Sequence, residues 1–257
     1  MKEPTILYEV KDRIAYITLN RPEKLNAFNL EMSAALRDTW DRFENDPEAQ
    51  VAILTGKGKS FSAGVDLTDD DRGSGKPWQY HEAYPRNGIK HFKPIVGAIK
   101  GYALGQGYII AVNGCDITIA AENAKFGYPE GRAGVSQIPP QHTPYMPFKI
   151  YLEFMLLAWK GGRMMEAQRA YNFGVINAVV PEDQLMDEAE KWARLLMEVP
   201  PLFIKSVKHG LYRQIDRKVN SDEREYIEYI LPQEESQDRL EAINAFQEKR
   251  SPKFTGK

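Results

Sequence analysis

The chain has 257 residues, enough for one well-buried core without demanding a second domain. Its 34 Lys and Arg against 36 Asp and Glu leave a net charge of -2, which excludes the basic footprint of a nucleic-acid binder. The single cysteine, Cys115, excludes an intramolecular disulfide and argues against a Cys-based zinc site, no apolar run approaches membrane-spanning length, and Met1-Lys2-Glu3-Pro4 carries no apolar signal core, so a soluble, cytoplasmic protein is expected.

The first predicted elements are strands over Ile6–Val10 and Ile14–Leu19 with Lys11-Asp12 as the turn. Ala15, Ile17 and Leu19 alternate with Tyr16 and Thr18, the pattern of a sheet with two unlike faces. Asn29 is placed to cap a helix carrying Met32, Ala35, Leu36, Trp40 and Phe43 at helical spacing, which Asn45-Asp46-Pro47 ends. A short apolar strand, Val51–Leu54, leads into the loop Gly56–Asp66. A polar, Gly-containing stretch from Thr68 to Pro77 follows, then a helix-like stretch and the strand Ile95–Ile99. A glycine-rich turn and its helix come next, and then a strand over Asp116–Ala121. From Tyr145 onward the reading is mostly helical: Tyr145–Ala158, Met165–Phe173, Pro181–Val199, Pro201–Gln214 and Asn220–Lys249 with breaks. Strands alternating with helices and then a helical run predict an α/β core with a C-terminal helical extension, and Val199-Pro200-Pro201 is the best linker.

Two stretches carry chemistry. In Lys100-Gly101-Tyr102-Ala103-Leu104-Gly105-Gln106-Gly107, glycine-flanked backbone opens a helix and presents N–H groups; Phe126-Gly127-Tyr128-Pro129-Glu130 offers one carboxylate to the same pocket. The pairing suggests carbonyl-stabilising chemistry with proton transfer. Other motifs fail. The dinucleotide fingerprint begun by Gly105-Gln106-Gly107 has Ile110 in place of its third glycine, and the phosphate-loop ending Gly58-Lys59-Ser60 has Ile53 in place of its first. There is no Gly-x-Ser-x-Gly elbow, and His81, His91, His142 and His209 lack metal-ligand spacing.

Several stretches in a fixed order resemble the crotonase, or enoyl-CoA hydratase/isomerase, superfamily: Asn20-Arg21-Pro22-Glu23-Lys24-Leu25-Asn26-Ala27, Val51 to Gly56, Phe61-Ser62-Ala63-Gly64-Val65-Asp66-Leu67, Gly101 to Gly107, Cys115-Asp116-Ile117, Phe126 to Glu130 and Gly174-Val175-Ile176. The resemblance implies an α/β fold, a spiral of repeated ββα units over residues 1–198, and a helical trimerisation region over 199–257, assembled as a homotrimer or dimer of trimers. It also implies an acyl-CoA thioester substrate, with no metal and no cofactor beyond the substrate's own coenzyme A, and neither nucleic acid nor membrane as partner. A thioester carbonyl polarised by two backbone N–H donors becomes an enolate-like oxyanion, which acidifies the neighbouring C–H or permits addition to a conjugated alkene. By motif position the donors are Val65 and Gln106, the latter standing where glycine is common. The same resemblance places CoA against Lys24, Leu25 and Ala27 and against Ala63, Gly64, Asp66 and Leu67. Leu104, Gly105, Ile109 and Pro129 complete the substrate-binding set, and Phe246 and Lys249 close the CoA site, often from a neighbouring subunit.

The departures from the hydratase pattern decide the expected chemistry. Of the two family glutamates, the first position is Ile109 and the second is kept as Glu130. A single carboxylate facing an oxyanion hole suits double-bond isomerisation or specialised hydration, and an apolar Ile109 is expected to raise the pKa of Glu130 by desolvation. Pro139-Pro140-Gln141-His142-Thr143-Pro144-Tyr145-Met146-Pro147 replaces a commoner family segment, so a remodelled acyl pocket is expected. A hydratase-lyase of the hydroxycinnamoyl-CoA type, with Tyr226 or Tyr229 assisting, an acyl-CoA hydrolase and a non-catalytic acyl-CoA-binding scaffold are the alternatives. Tyr128, His142 and Tyr145 are further polar candidates.

Overall fold

The computed structural model describes residues 3–68, 83–85, 91–132, 146–160, 163–219, 236–248 and 250–255. Strands β1 (Ile6–Lys11) and β2 (Ile14–Leu19) form an antiparallel hairpin in which Lys11 pairs with Ile14. The turn is Asp12-Arg13, one residue later than expected. Both residues take positive φ, 50° and 66°, the mirror-image turn whose twist matches the strands it joins, and Lys11 is thereby drawn into β1.

β2 is followed in the sheet by parallel strands β3 (Val51–Gly56), β4 (Ile95–Ile99), β6 (Ile117–Ala121) and β9 (Ala178–Val180), giving six strands in the order β1-β2-β3-β4-β6-β9. A second sheet has β7 (Lys125–Gly127) at its centre, parallel to β5 (Tyr102–Leu104) and antiparallel to β8 (Met165–Glu166). The alternation read in β2 is real. Ala15, Ile17 and Leu19 face the larger core with α1 (Leu30–Asn45), while Ile14 and Tyr16 face a smaller one closed by Leu185, Ala189 and Ala193 of α5 (Leu185–Met197). Covered on both sides, β4 is wholly buried, which is why it reads as an unbroken apolar run.

Helix α1 forms as its pattern requires. The Asn29 side-chain oxygen accepts the Met32 N–H at 2.9 Å, and Met32, Leu36, Trp40 and Phe43 are buried, with Ala35 only partly so. α2 (Gln106–Tyr108) runs directly into a π-helical turn, Ile109–Gly114. Helices α3 (Phe148–Leu157), α4 (Ala167–Asn172), α6 (Pro201–Val219) and α7 (Gln237–Gln247) complete the described elements. Two expected helices change character. Met165–Glu166 is the strand β8, paired with Lys125 and Phe126, so only Ala167–Asn172 of the expected Met165–Phe173 is helical. The segment expected as a helix from Pro181 begins with a 3-10 turn, Glu182–Gln184, before α5.

Glu198, Val199 and Pro200 separate α5 from α6 at the stretch expected as the linker. α6 is nevertheless fastened to the sheet. The Lys208 ammonium donates to the Asp116 carboxylate at 2.8 Å and to the Lys93 carbonyl at 2.9 Å, and the Tyr212 hydroxyl donates to the other Asp116 oxygen. Asp116 also accepts the Ile95 N–H at 2.8 Å, so this charge is fully satisfied where it enters the protein. Among the described residues no helix is long and apolar enough to cross a membrane.

Candidate active site

Three stretches singled out in the sequence lie side by side. Phe28 bridges Val65 and Ser62 bridges Ala103, both in parallel. Ala63 N–H donates to the Leu25 carbonyl (3.0 Å), Phe28 N–H to Gly64 (2.7 Å), Asp66 N–H to Phe28 (2.8 Å) and Leu104 N–H to Ser62 (3.0 Å). The entry into this array is a left-handed pair, Leu25 and Asn26, at φ 50° and 54°. Asn26 tolerates that conformation and is fully buried there: its amide donates to the Lys57 and Ser60 carbonyls, each at 2.9 Å, and its oxygen accepts the Arg21 N–H at 2.9 Å. Sequence reading quoted Asn26 within a motif but gave it no task; its signal was an amide-bearing residue before a buried aromatic.

Glycines set the close approaches. At Gly64, φ +91°, an added Cβ would stand 2.8 Å from the Leu104 oxygen and 3.8 Å from the Gln106 nitrogen, so the residue before Val65 lies directly against the opening of α2. The Val65 N–H donates to no other described residue. Gly105 carries the strained backbone, φ 51° and ψ -118°, which leaves Gln106 free to begin the helix with its side chain buried. Gln106, standing where glycine is common, needs no positive φ because Gly105 takes it.

Glu130 arrives by strand pairing. β5 and β7 match Leu104 with Gly127, and the Gly105 N–H donates to the Gly127 carbonyl at 3.0 Å. Three residues further, in the 3-10 turn Pro129–Gly131, the Glu130 carboxyl lies over Gly105, its Cδ only 3.1 Å from where a Cβ would be. Its Oε2 is buried and accepts no hydrogen bond among the described residues. Burial pushes the Glu130 pKa up to about 8, against a smaller opposing effect of its own backbone N–H. Burial also raises the hydroxyls of Tyr128 and Tyr84, and the nearby Glu130 charge raises both further. Tyr108 packs on Phe154 with ring centroids 4.7 Å apart, and Tyr151 beside them is pushed up to about 12 by burial. Tyr128 was singled out in the sequence, whereas Tyr84 and Tyr151 were not.

A family profile described as Enoyl-CoA hydratase/isomerase matches residues 9–257. The chain belongs to this family. It is 33% identical to (E)-benzylidenesuccinyl-CoA hydratase of Thauera aromatica, over 98% of this chain and 99% of that protein. It is 35% identical to carnitinyl-CoA dehydratase of Salmonella enteritidis PT4, over 95% of each chain. The crystal structure of carnitinyl-CoA hydratase from Mycobacterium avium superposes with a TM-score of 0.84 at 31% identity, covering 100% of both chains. The expected crotonase-like α/β fold and an acyl-CoA-processing enzyme are therefore the right reading of this sequence.

The remaining expected site residues of this enoyl-CoA hydratase/isomerase family member fall in three groups. Lys24 and Leu25 are exposed beside buried Ala27, while Ala63, Leu67, Leu104 and Pro129 are partly exposed, and Ile109 is buried in the π-helical turn. Asp66 is occupied by the loop itself: its carboxylate accepts from the Thr68 hydroxyl (2.7 Å) and N–H (3.0 Å) and pairs with Arg21 (3.2 Å). Burial raises its pKa, but these partners together outweigh that and hold it below the usual carboxylate range. Phe246 lies on α7, its side chain outside what is described, and Lys249, Tyr226, Tyr229, His142 and Tyr145 lie outside the described residues. Among the described residues no group of His, Cys, Asp and Glu stands together to hold a metal.

Proposed function

We propose that the enzyme adds water reversibly across the double bond of a 2-enoyl-CoA, with Glu130 as the only general acid and base. The observation that carries this reading is the buried Glu130 carboxyl lying over Gly105, at the turn that opens α2. The relatives named hydratase and dehydratase favour water addition over other outcomes. In this reaction the thioester oxygen accepts from the Val65 and Gln106 N–H groups. The Glu130 carboxylate takes a proton from water as the oxygen bonds to Cβ, and negative charge passes to the thioester oxygen as an enolate. Protonated Glu130 then gives that proton to Cα, so the carboxylate is restored and no other co-reactant is consumed. Double-bond isomerisation is the second reading, favoured by Ile109, which supplies no second carboxyl to hold water. Lys24 to Ala27 and Ala63 to Leu67 hold the CoA moiety, with Phe246 and Lys249 completing it.

The base form is the ionised one, and its pKa near 8 leaves about a tenth of Glu130 ionised at pH 7. The rate constant kcat/KM for hydration should therefore climb roughly tenfold between pH 7 and pH 9 and then level. Incubation with a panel of enoyl-CoAs, followed by mass spectrometry, distinguishes the readings: water gain supports hydration, a new isomer of unchanged mass supports the second reading, and CoA release without either overturns both.

The C-terminal residues 199–257 are proposed to assemble the protein as a trimer or dimer of trimers. Phe148, Leu152 and Leu156 of α3 and Phe203, Val207 and Leu211 of α6 repeat every four residues on exposed faces, and Leu202 is 81% exposed beside them. Light scattering at micromolar concentration should report three or six copies; a monomer would overturn the assembly. Buried Cys115, the single cysteine of the chain, fits the cytoplasmic location proposed with it.

A further inference from the structure

We propose that Arg21 is a positioning residue for this site, its guanidinium heading a hydrogen-bonded chain of two peptide units that ends on the Val65 N–H and so aims and polarises that donor. The inference rests on the oxyanion reading above, in which Val65 and Gln106 hold the thioester oxygen. Arg21 Nη1 donates to the Ala27 carbonyl. The N–H of the same peptide, that of Phe28, donates to the Gly64 carbonyl at 2.7 Å. The N–H of that second peptide is the Val65 donor. Both peptides are trans, so each N–H points away from its own carbonyl, and the Val65 N–H is directed out of the bridge on the side opposite Phe28. Asp66 closes the frame: its N–H donates to the Phe28 carbonyl at 2.8 Å, and its carboxylate takes Arg21 Nη2 at 3.2 Å. One planar fork therefore grips both strands of the Phe28–Val65 bridge, at the residue before Phe28 and at the residue after Val65.

The chain lies where such a device has leverage. The Arg21 and Asp66 side chains are only 14% and 9% exposed, so water and salt screen the guanidinium little. Each hydrogen bond in a chain polarises the next, and a cation at its head leaves the last N–H a stronger donor than an isolated amide. The other side-chain support of this loop is neutral. The Ser62 hydroxyl donates to the Asn26 carbonyl at 2.8 Å and accepts the Gly64 N–H at 3.1 Å, which fixes position and supplies no charge. Alignment matters as well, because a Cβ on Gly64 would stand 3.8 Å from the Gln106 nitrogen, and the two neighbouring donors must converge on one oxygen. In this role Arg21 touches no reacting atom and acts through Val65.

The test separates this role from a structural one. Full-length wild type, Arg21→Met and Arg21→Lys are compared for binding of CoA itself and of acetoacetyl-CoA, a β-ketothioester whose enolate is seen by its own ultraviolet absorption. CoA engages the site without an oxyanion, the enolate with one. In Arg21→Met the dissociation constant of the enolate is expected to rise at least about tenfold and that of CoA less than about threefold. Lysine keeps the charge but cannot span both acceptors as a fork does, so Arg21→Lys should show a smaller rise of the same kind. If Arg21→Met does not fold, a selective loss of enolate affinity in Arg21→Lys carries the proposal and its absence overturns it. Equal losses for both ligands, or an unchanged enolate affinity, would overturn the role of Arg21 alone. A wild type that binds acetoacetyl-CoA without enolate absorption, and no more tightly than CoA, would overturn the oxyanion reading and Arg21 with it.

Discussion

Replacing Glu130 by Gln is expected to lower turnover on the hydrated enoyl-CoA by about two to four orders of magnitude while leaving acyl-CoA binding in place, because the amide keeps the shape of the carboxyl and removes its proton chemistry. The same substitution should stabilise the fold at high pH. The folded-state pKa of Glu130 is raised from 4.5 to about 8, so its contribution to stability is fully present below 4.5 and is lost as pH rises through about 8. Over that window the unfolded chain ionises Glu130 and the native protein does not, and above it the cost of the buried charge reaches the order of a few kcal/mol. A glutamine escapes that cost. Calorimetry near pH 9 should place the variant roughly 5–10 °C above wild type, with a smaller difference or none near pH 5. An inactive variant that gains no stability at high pH would mean that the carboxyl is not desolvated as its position requires.

The second large effect concerns Gly105. An alanine there must hold φ 51° and ψ -118°, a conformation costing a residue with Cβ about 1–3 kcal/mol, and its methyl would collide with Glu130 Oε1. Because a displacement of about 1 Å at a reacting group costs on the order of a hundredfold in rate, Gly105→Ala should lose both stability and turnover. Gly174 is the control. It has φ +70° but nothing within 4 Å of its Cβ position, so Gly174→Ala should lower the melting temperature and leave turnover near wild type. Comparable turnover losses in the two variants would show that strain, not the Glu130 contact, governs the Gly105 effect.

The sequence was most legible where a period had room to develop. β2, β3, β4 and β6 and the face of α1 each carry at least five residues of consistent burial, and their expected places hold within two residues. β5, β7, β8 and β9 have two or three residues each, too few for alternation to show, and their pairing is decided by partners distant in the chain. Met165 and Glu166 were absorbed into a helix because the six helical residues after them dominate the local pattern.

The site divides in the same way. Glycines and Glu130 were readable as chemistry, but that Glu130 rests on Gly105 follows from the β5–β7 register, which no local signal encodes. The expected rise in its pKa is present, with burial of the carboxyl as its cause.

The central claim, that Glu130 alone moves the proton on a thioester polarised by the Val65 and Gln106 amides, is tested most directly by single-turnover incubation of crotonyl-CoA and cinnamoyl-CoA with wild type and Glu130→Gln in isotopically labelled water. Labelled oxygen at Cβ and solvent hydrogen at Cα, both appearing with wild type and both lost together in the variant, is the result this account predicts. Efficient water addition by Glu130→Gln, or CoA release with no label at Cβ, would contradict it.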